Sequence, residues 1–345
     1  MLMVVFGAGA SYDSVLSRPP WEYSRERLHY RPPLANELFG TTDEYRDAIT
    51  RFPKCKPILP RLQGVVRQGG SVEVELERLQ EEADAGDWER YKQLAAVRYY
   101  LHYLLIDFIR NWDGVTLGVT NYSALLDDIR HHRRDGEATC LVTFNYDTLL
   151  EAALAVFGLD IQGIGDYIRR TDLKVIKLHG SAHWGREVDS TFIQSVPERN
   201  VWELAHEMID RAAELDISQR FKLTREWPIA RIDGNLLFPA IAIPFERKLD
   251  FECPPEHLEA LRVFIPEVTK LLVIGWRATD QPFLELLAEN IRPDLRGMVV
   301  TSGETSAREV VERLHQAGIR GEFSTSSGGF THFISARESD AFLQD

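Results

Sequence analysis

Short, wholly apolar runs alternate along this chain with longer stretches in which apolar residues recur every three or four positions. The runs LMVVF (2–6), ATCLVTF (138–144), LKVIKL (173–178), KLLVIGW (270–276) and GMVVTS (297–302) have the length and β-branched content of buried strands. LLFPAIAIP (236–244) is apolar and extended as well. Between or after them, DTLLEAALAVF (147–157), PPEHLEALRVFIPEV (254–268), QPFLELLAENI (281–291) and ETSAREVVERLHQAG (304–318) carry helical periodicity. Strands apolar on both faces and separated by helices of this length belong to parallel sheets covered on both sides. The pattern therefore predicts an α/β fold with a doubly wound, mostly parallel, Rossmann-like sheet.

Two stretches interrupt the alternation and are read as helical insertions forming a smaller helical subdomain within one domain over 1–345. The first, 14–135, begins with an irregular segment rich in Pro, Arg and aromatic residues. Helices follow at 71–84, with Ser71 as a plausible N-cap, at 91–112 and at 121–132. The amphipathic faces of the last two suit either the core or contacts with a partner. The second insertion, 184–236, is polar and helical around PERNVWELAHEMIDRAAEL and shows no strand pattern.

The charge of −13 disfavours nucleic-acid binding, which rests on phosphate neutralisation by Lys and Arg. Basic residues concentrate in 18–67 (Arg18, Arg25, Arg27, Arg31, Lys54, Lys56, Arg61, Arg67), either as a solvated surface or as a contact for an anionic ligand. No segment has the ~20 apolar residues that span a bilayer. The opening apolar run is too short for a signal peptide, so a cytoplasmic protein is expected. Cys55, Cys140 and Cys253 are far apart and form no CxxC pair, which argues against a disulfide framework and a thiolate zinc site.

In open parallel sheets, ligands bind beyond the carboxyl ends of the strands. Here those ends lead into Gly7-Ala8-Gly9-Ala10-Ser11, Asn145-Tyr146-Asp147, His179-Gly180-Ser181, Gly275-Trp276-Arg277 and Thr301-Ser302-Gly303. GAGAS serves either as a plain tight turn or as a place where backbone meets a pyrophosphate. It lacks the third glycine of the dinucleotide fingerprint, and no acidic strand follows it, which disfavours a standard NAD dehydrogenase. Asn145 or Asp147 could cap the next helix or face a ligand. His179 could be satisfied by a turn carbonyl or serve as a general base near neutrality.

Taken in order, GAGAS, TFNYD, KLHGS, PAIAIPFERKL and LLVIGW resemble the motifs of the sirtuin-like NAD-binding family. The resemblance implies that Gly7, Ala8, Gly9, Ala10 and Ser11 cradle the pyrophosphate of NAD. It implies that Asn145 lies by the nicotinamide ribose and positions a water, while Asp147 hydrogen-bonds the carboxamide. His179 would contact the ribose hydroxyls as the base, and Gly275 and Ser302 would line the adenosine half. Departures from the deacylases are equally specific. Three scattered cysteines cannot build their four-cysteine zinc module, SYDSVLSRPPW replaces their G-x-x-D-F-R stretch, and F-N-Y-D replaces Q-N-x-D. In this the chain resembles the bacterial sirtuin-like NAD hydrolases of antiphage defence.

The expected activity is hydrolysis of NAD+, as substrate and without a metal, to nicotinamide and ADP-ribose. Uncontrolled NAD loss would kill the host, so activation by assembly is expected. The partner would be a second copy of the chain, a HerA-like ATPase or an Argonaute-type protein, with neither nucleic acid nor membrane bound directly. A zinc-less NAD-dependent deacylase and a non-catalytic NAD or ADP-ribose sensor are the alternatives.

Overall fold

A computed structural model describes residues 1–15, 30–134, 136–189, 200–225, 231–232, 234–244 and 251–344. Arg18, Arg25 and Arg27, the Leu16–Trp21 part of the segment after GAGAS, and 190–199 of the second insertion lie outside them. The chain divides into two compact units, one of Met1–Pro32, Ile109–His179 and Lys248–Asp345, the other of Pro33–Phe108 and Gly180–Arg247.

The first unit is built on the predicted parallel sheet. Its strands are β1 (Leu2–Phe6), β2 (Thr139–Thr143), β3 (Leu173–Lys177), β8 (Lys270–Ile274), β9 (Leu295–Val300) and β10 (Gly321–Ser326); β4 to β7 belong to the second unit. The spatial order is β10-β9-β8-β1-β2-β3, and every adjacent pair is parallel. Chain order therefore reverses at β1, the first strand of the chain, which stands between the β2–β3 and β8–β10 halves. All five residues of β1 and of β2 are buried, as continuous apolar runs require. One face of the sheet, with Met3, Val5, Cys140, Val142 and Val273, packs on Leu261, Phe264, Phe283, Leu287 and Leu314 from the helices Pro255–Phe264, Gln281–Asn290 and Glu304–Gln316. On the other face, the Phe6 ring lies 5.0 Å from Tyr122 of helix Asn121–His132 and 6.4 Å from Phe330 of helix Gly329–Ser335. The doubly wound α/β architecture is as expected. β10 was not anticipated: GEFSTS is an edge strand, largely in contact with water, and has no apolar run.

In the second unit the helices Asp43–Arg51, Leu59–Arg67, Val72–Asp84 and Val201–Asp210 accompany most of the long helix Trp88–Thr116, which the boundary divides. Ser71 is indeed the N-cap of its helix, its hydroxyl accepting from the Glu73 amide at 3.2 Å. The apolar face of the long helix is buried, with Tyr99, Tyr100, Leu101 and Leu104 all in the interior. The second insertion needs correcting, because 184–236 is not only helical. β4 (Gly180–Val188), β5 (Ile217–Leu223), β6 (Arg231–Ile232) and β7 (Asn235–Ile241) form an antiparallel sheet in the order β5-β4-β7-β6. Polar sequence hid these strands. Glu187 is buried in β4, with Lys222 3.5 Å away, Arg220 in hydrogen-bond contact and Asn235 at 3.3 Å. Such cross-strand pairing stabilises a charged strand that local propensity disfavours.

Candidate functional site

Because the six strands are parallel and in register, Phe6 stands level with Thr143 and Ile274, and the turns that follow share one edge of the sheet. The glycine turn after β1 is the closest backbone approach along it. Gly7 donates its amide to Ile274 O at 3.0 Å, and Gly9 to Gly275 O at 3.1 Å. A Cβ on Gly7 would stand 2.5 Å from Trp276 Cα, and one on Gly9 2.9 Å from Gly275 Cα. Gly275 itself has φ +63°, and a Cβ there would lie 2.3 Å from the Ala10 amide nitrogen. The glycines thus let two chain reversals touch, a use the sequence motif alone does not distinguish from a cradle. Ala10 also donates inward, to Gly7 O at 2.9 Å, and Ala8 is the exposed residue of the run.

Asn145 joins this turn to the next. Its Nδ2 lies 3.0 Å from Gly7 O, 2.9 Å from Ser11 Oγ and 3.1 Å from Tyr122 OH, so two hydrogens are shared among three acceptors. Ser11 Oγ is 2.9 Å from Tyr122 OH, and either hydroxyl of the pair can be the donor. Burial, and then the charge of Asp147, hold the Tyr122 hydroxyl far above its usual range, so it remains neutral. Asp147 accepts from the Leu149 amide at 3.1 Å, but Thr148, not Asp147 or Asn145, is the N-cap of helix Leu149–Val156, so Asp147 makes a local turn just ahead of the cap. Lys177, the last residue of β3 and fully buried, donates to Asp147 O at 2.5 Å and lies 3.1 Å from Glu151 Oε1.

Burial pushes the Asp147 carboxyl above the ordinary carboxylate range, with Lys177, Ser11 and the Leu149 amide pulling back only in part. A folded-state pKa above the unfolded one means the native state binds the extra proton. The associated stability is complete below about pH 4 and is lost as pH rises through the folded value. Asp147→Asn should therefore flatten this limb. Thermal melts from pH 4 to 8 should show the variant losing less stability than the parent as pH rises, and parallel curves would remove the assignment.

His179 occupies the end of the third strand. Its Nε2 lies 2.7 Å from Asp280 Oδ1, while the other carboxylate oxygen accepts from Trp276 Nε1 at 2.9 Å. The Asp280 carboxylate thus stands at ion-pair distance from the imidazole and holds the Trp276 indole with its other oxygen. Phe144 stacks on Trp276 with ring centroids 5.1 Å apart and meets His179 edge-on at 4.8 Å. Tyr146 lies 6.2 Å from the same imidazole. The turn 144–147 thus carries the amide group on one side and the histidine group on the other.

Gly7, Gly9, Ala10 and Gly275 are in contact, Asn145 joins Ser11 to Gly7, Asp147 follows in the same turn, and His179 adjoins that turn through Phe144 and Tyr146. Ser302 is different. It is exposed in the turn after β9 and, among the described residues, joins neither hydrogen-bond group. Sequence reading missed Tyr122, Lys177, Asp280 and Trp276 as members of the site. Lys177 was the detectable one, a charge closing an otherwise apolar strand pattern. A separate clasp holds the segment after the glycine turn: Asp13 accepts from the Thr331 amide at 2.9 Å and its hydroxyl at 2.6 Å. Among the described residues, no three His, Cys, Asp or Glu side chains are placed to share a metal ion, and no helix is long and apolar enough to cross a membrane.

No protein-family profile matches the chain, and no curated protein does. Among solved structures it is similar to a Sir2 homologue in complex with NAD, at 15% identity and a TM-score of 0.40 over 99% of this chain and 90% of that one. It is similar to Sir2Tm bound to a propionylated peptide, at 12% identity and a TM-score of 0.41 over 99% and 94%. A Sir2 homologue variant in complex with ADP ribose gives 14% and 0.41 over 99% and 91%. At these values the likeness assigns neither family nor activity.

Proposed function

We propose that this chain is an NAD+ glycohydrolase that releases nicotinamide and ADP-ribose. The observation that carries the reading is the turn 144–147 at the carboxyl edge of the parallel sheet. It sets the Asn145–Ser11–Asp147 group against the glycine turn and the His179–Asp280 pair beside it. That edge, at the point where strand order reverses, is where open α/β sheets hold nucleotides.

The nicotinamide–ribose bond suits such a site. Its electron pair leaves with the nicotinamide ring, which departs neutral and needs no general acid. Water adds to the anomeric carbon and gives its proton to His179. The remaining task is orientation and charge stabilisation. On this reading Gly7, Ala8, Gly9, Ala10 and Ser11 hold the pyrophosphate, with Ala8 as the accessible contact. Asn145 places the water, Asp147 meets the carboxamide, and Gly275 and Ser302 lie by the adenosine half.

Asn145, Asp147 and His179 each expose less than a tenth of their surface, at 6%, 6% and 8%. A resting site so closed supports an effector of antiphage defence that opens on assembly with a second copy, a HerA-like ATPase or an Argonaute-type protein. Purified protein incubated with NAD+, alone and with each candidate partner, should release nicotinamide and ADP-ribose in equal amounts. Turnover that requires an acyl-peptide would replace this reading with a deacylase. Binding without turnover under every condition would replace it with a sensor.

A further inference from the structure

We propose that Lys177 is a positioning residue of this site, its ammonium tying the Asn145–Asp147 turn, through the Asp147 main-chain carbonyl, to the end of β3. The inference rests on the glycohydrolase reading and deepens it. Ile176 and Leu178 enter the apolar core of the sheet's other face, so Lys177 projects beneath the turn 144–147 and the helix that follows. An ammonium fully removed from water is costly, and an apolar residue would fill the same place in a strand more cheaply.

Its contacts are not those of a simple ion pair. The shortest, 2.5 Å, goes to the main-chain carbonyl of Asp147, whereas Glu151 receives one contact at 3.1 Å. Glu151 Oε1 also accepts from Tyr167 OH at 2.9 Å, while Oε2 is buried and has no hydrogen-bond partner among the described residues. A lysine placed to stabilise Glu151 would satisfy that carboxylate first. Lys177 instead serves the turn that carries Asn145 and Asp147.

The groups facing the Asp147 carboxyl come from every element around it. They are Ser11 after the glycine turn, Tyr122 from helix Asn121–His132, Asp113 from the long helix, Glu151 from its own helix, and Lys177 from β3. Of these five, Lys177 alone is a cation. Lys177 lowers the proton affinity of Asp147 and Glu151 raises it, against the larger effect of burial. Opposite substitutions should therefore move the same titration in opposite directions.

The test compares Lys177→Met, Lys177→Arg, Glu151→Gln and the double variant Lys177→Met/Glu151→Gln, the last in case Lys177→Met alone does not fold. With NAD+ as substrate, Lys177→Met should lose about tenfold or more in kcat with KM changed less than about threefold. The acidic limb of its pH profile should move up. Glu151→Gln should move that limb down, Lys177→Arg should keep it near the parent, and the double variant should share the upward shift relative to Glu151→Gln. The pH dependence of thermal stability in ligand-free protein should shift in the same directions. Folded variants whose limbs and melts coincide with the parent would overturn the role of Lys177. If the parent turns over no NAD+, the glycohydrolase reading fails, and the melts still decide whether Lys177 governs Asp147.

Discussion

His179→Ala is expected to reduce NAD+ hydrolysis by about a hundredfold to ten-thousandfold, the range of one general acid–base group. The imidazole sits at the strand end with Asp280 2.7 Å from Nε2 and the rings of Phe144 and Tyr146 beside it. On the proposed mechanism, removing it takes away the acceptor for the proton of the attacking water, while the glycine turn and the Asn145 network are untouched. Binding of ADP-ribose should therefore survive, within a few-fold, where turnover does not. Asp280→Asn is the companion measurement: it keeps the side-chain shape but removes the charge that faces the imidazole, and a smaller loss is expected. Nicotinamide release by His179→Ala at the parent rate would show that the base lies elsewhere.

The second large effect is structural. Gly275→Ala puts a Cβ 2.3 Å from the Ala10 nitrogen and 2.5 Å from Gly9 C, at a backbone φ of +63°. Left-handed strain of about 1–2 kcal/mol adds to overpacking of about 1–3 kcal/mol. The variant should lose about 2–5 kcal/mol of stability and, because the displaced backbone is the glycine turn itself, its dinucleotide binding too. Gly64→Ala offers the opposite sign. Gly64 lies inside helix Leu59–Arg67 with nothing within 4 Å of an added Cβ, so the substitution should stabilise by about 0.5–1 kcal/mol. Chemical denaturation of both variants distinguishes a position that needs glycine from one that merely has it. Equal stabilities would show that the two turns separate without cost.

The strands that were legible are those whose environment is uniform. β1, β2 and β8 have apolar neighbours on both faces and on both edges, so LMVVF, TCLVT and KLLVI are nearly unbroken apolar runs. β4 and β5 sit in an antiparallel sheet and carry Arg186, Glu187, Arg220 and Lys222, with Glu187 paired to Arg220 and Lys222 across the sheet and Arg186 donating to Ser218 O. Their pairing partners are more than twenty residues apart in the chain, beyond the reach of any local pattern. The site divides in the same way. Glycines, Asn145, Asp147 and His179 announced themselves as unusual residues directly after apolar runs. Tyr122 looked like one more aromatic on an amphipathic helix until its hydroxyl was seen 3.1 Å from Asn145 Nδ2.

Local composition was enough to establish a parallel α/β sheet and to single out the turns along its carboxyl edge, because both depend on short-range periodicity and on residues whose type is special wherever they occur. It took the folded chain to reveal that GAGAS packs against Gly275, that Lys177 lies under Asp147 and that Asp280 faces His179. Those relations are contacts between residues far apart in sequence, set by strand order and register. A buried charge or a missing Cβ acquires its meaning only from the atoms that surround it.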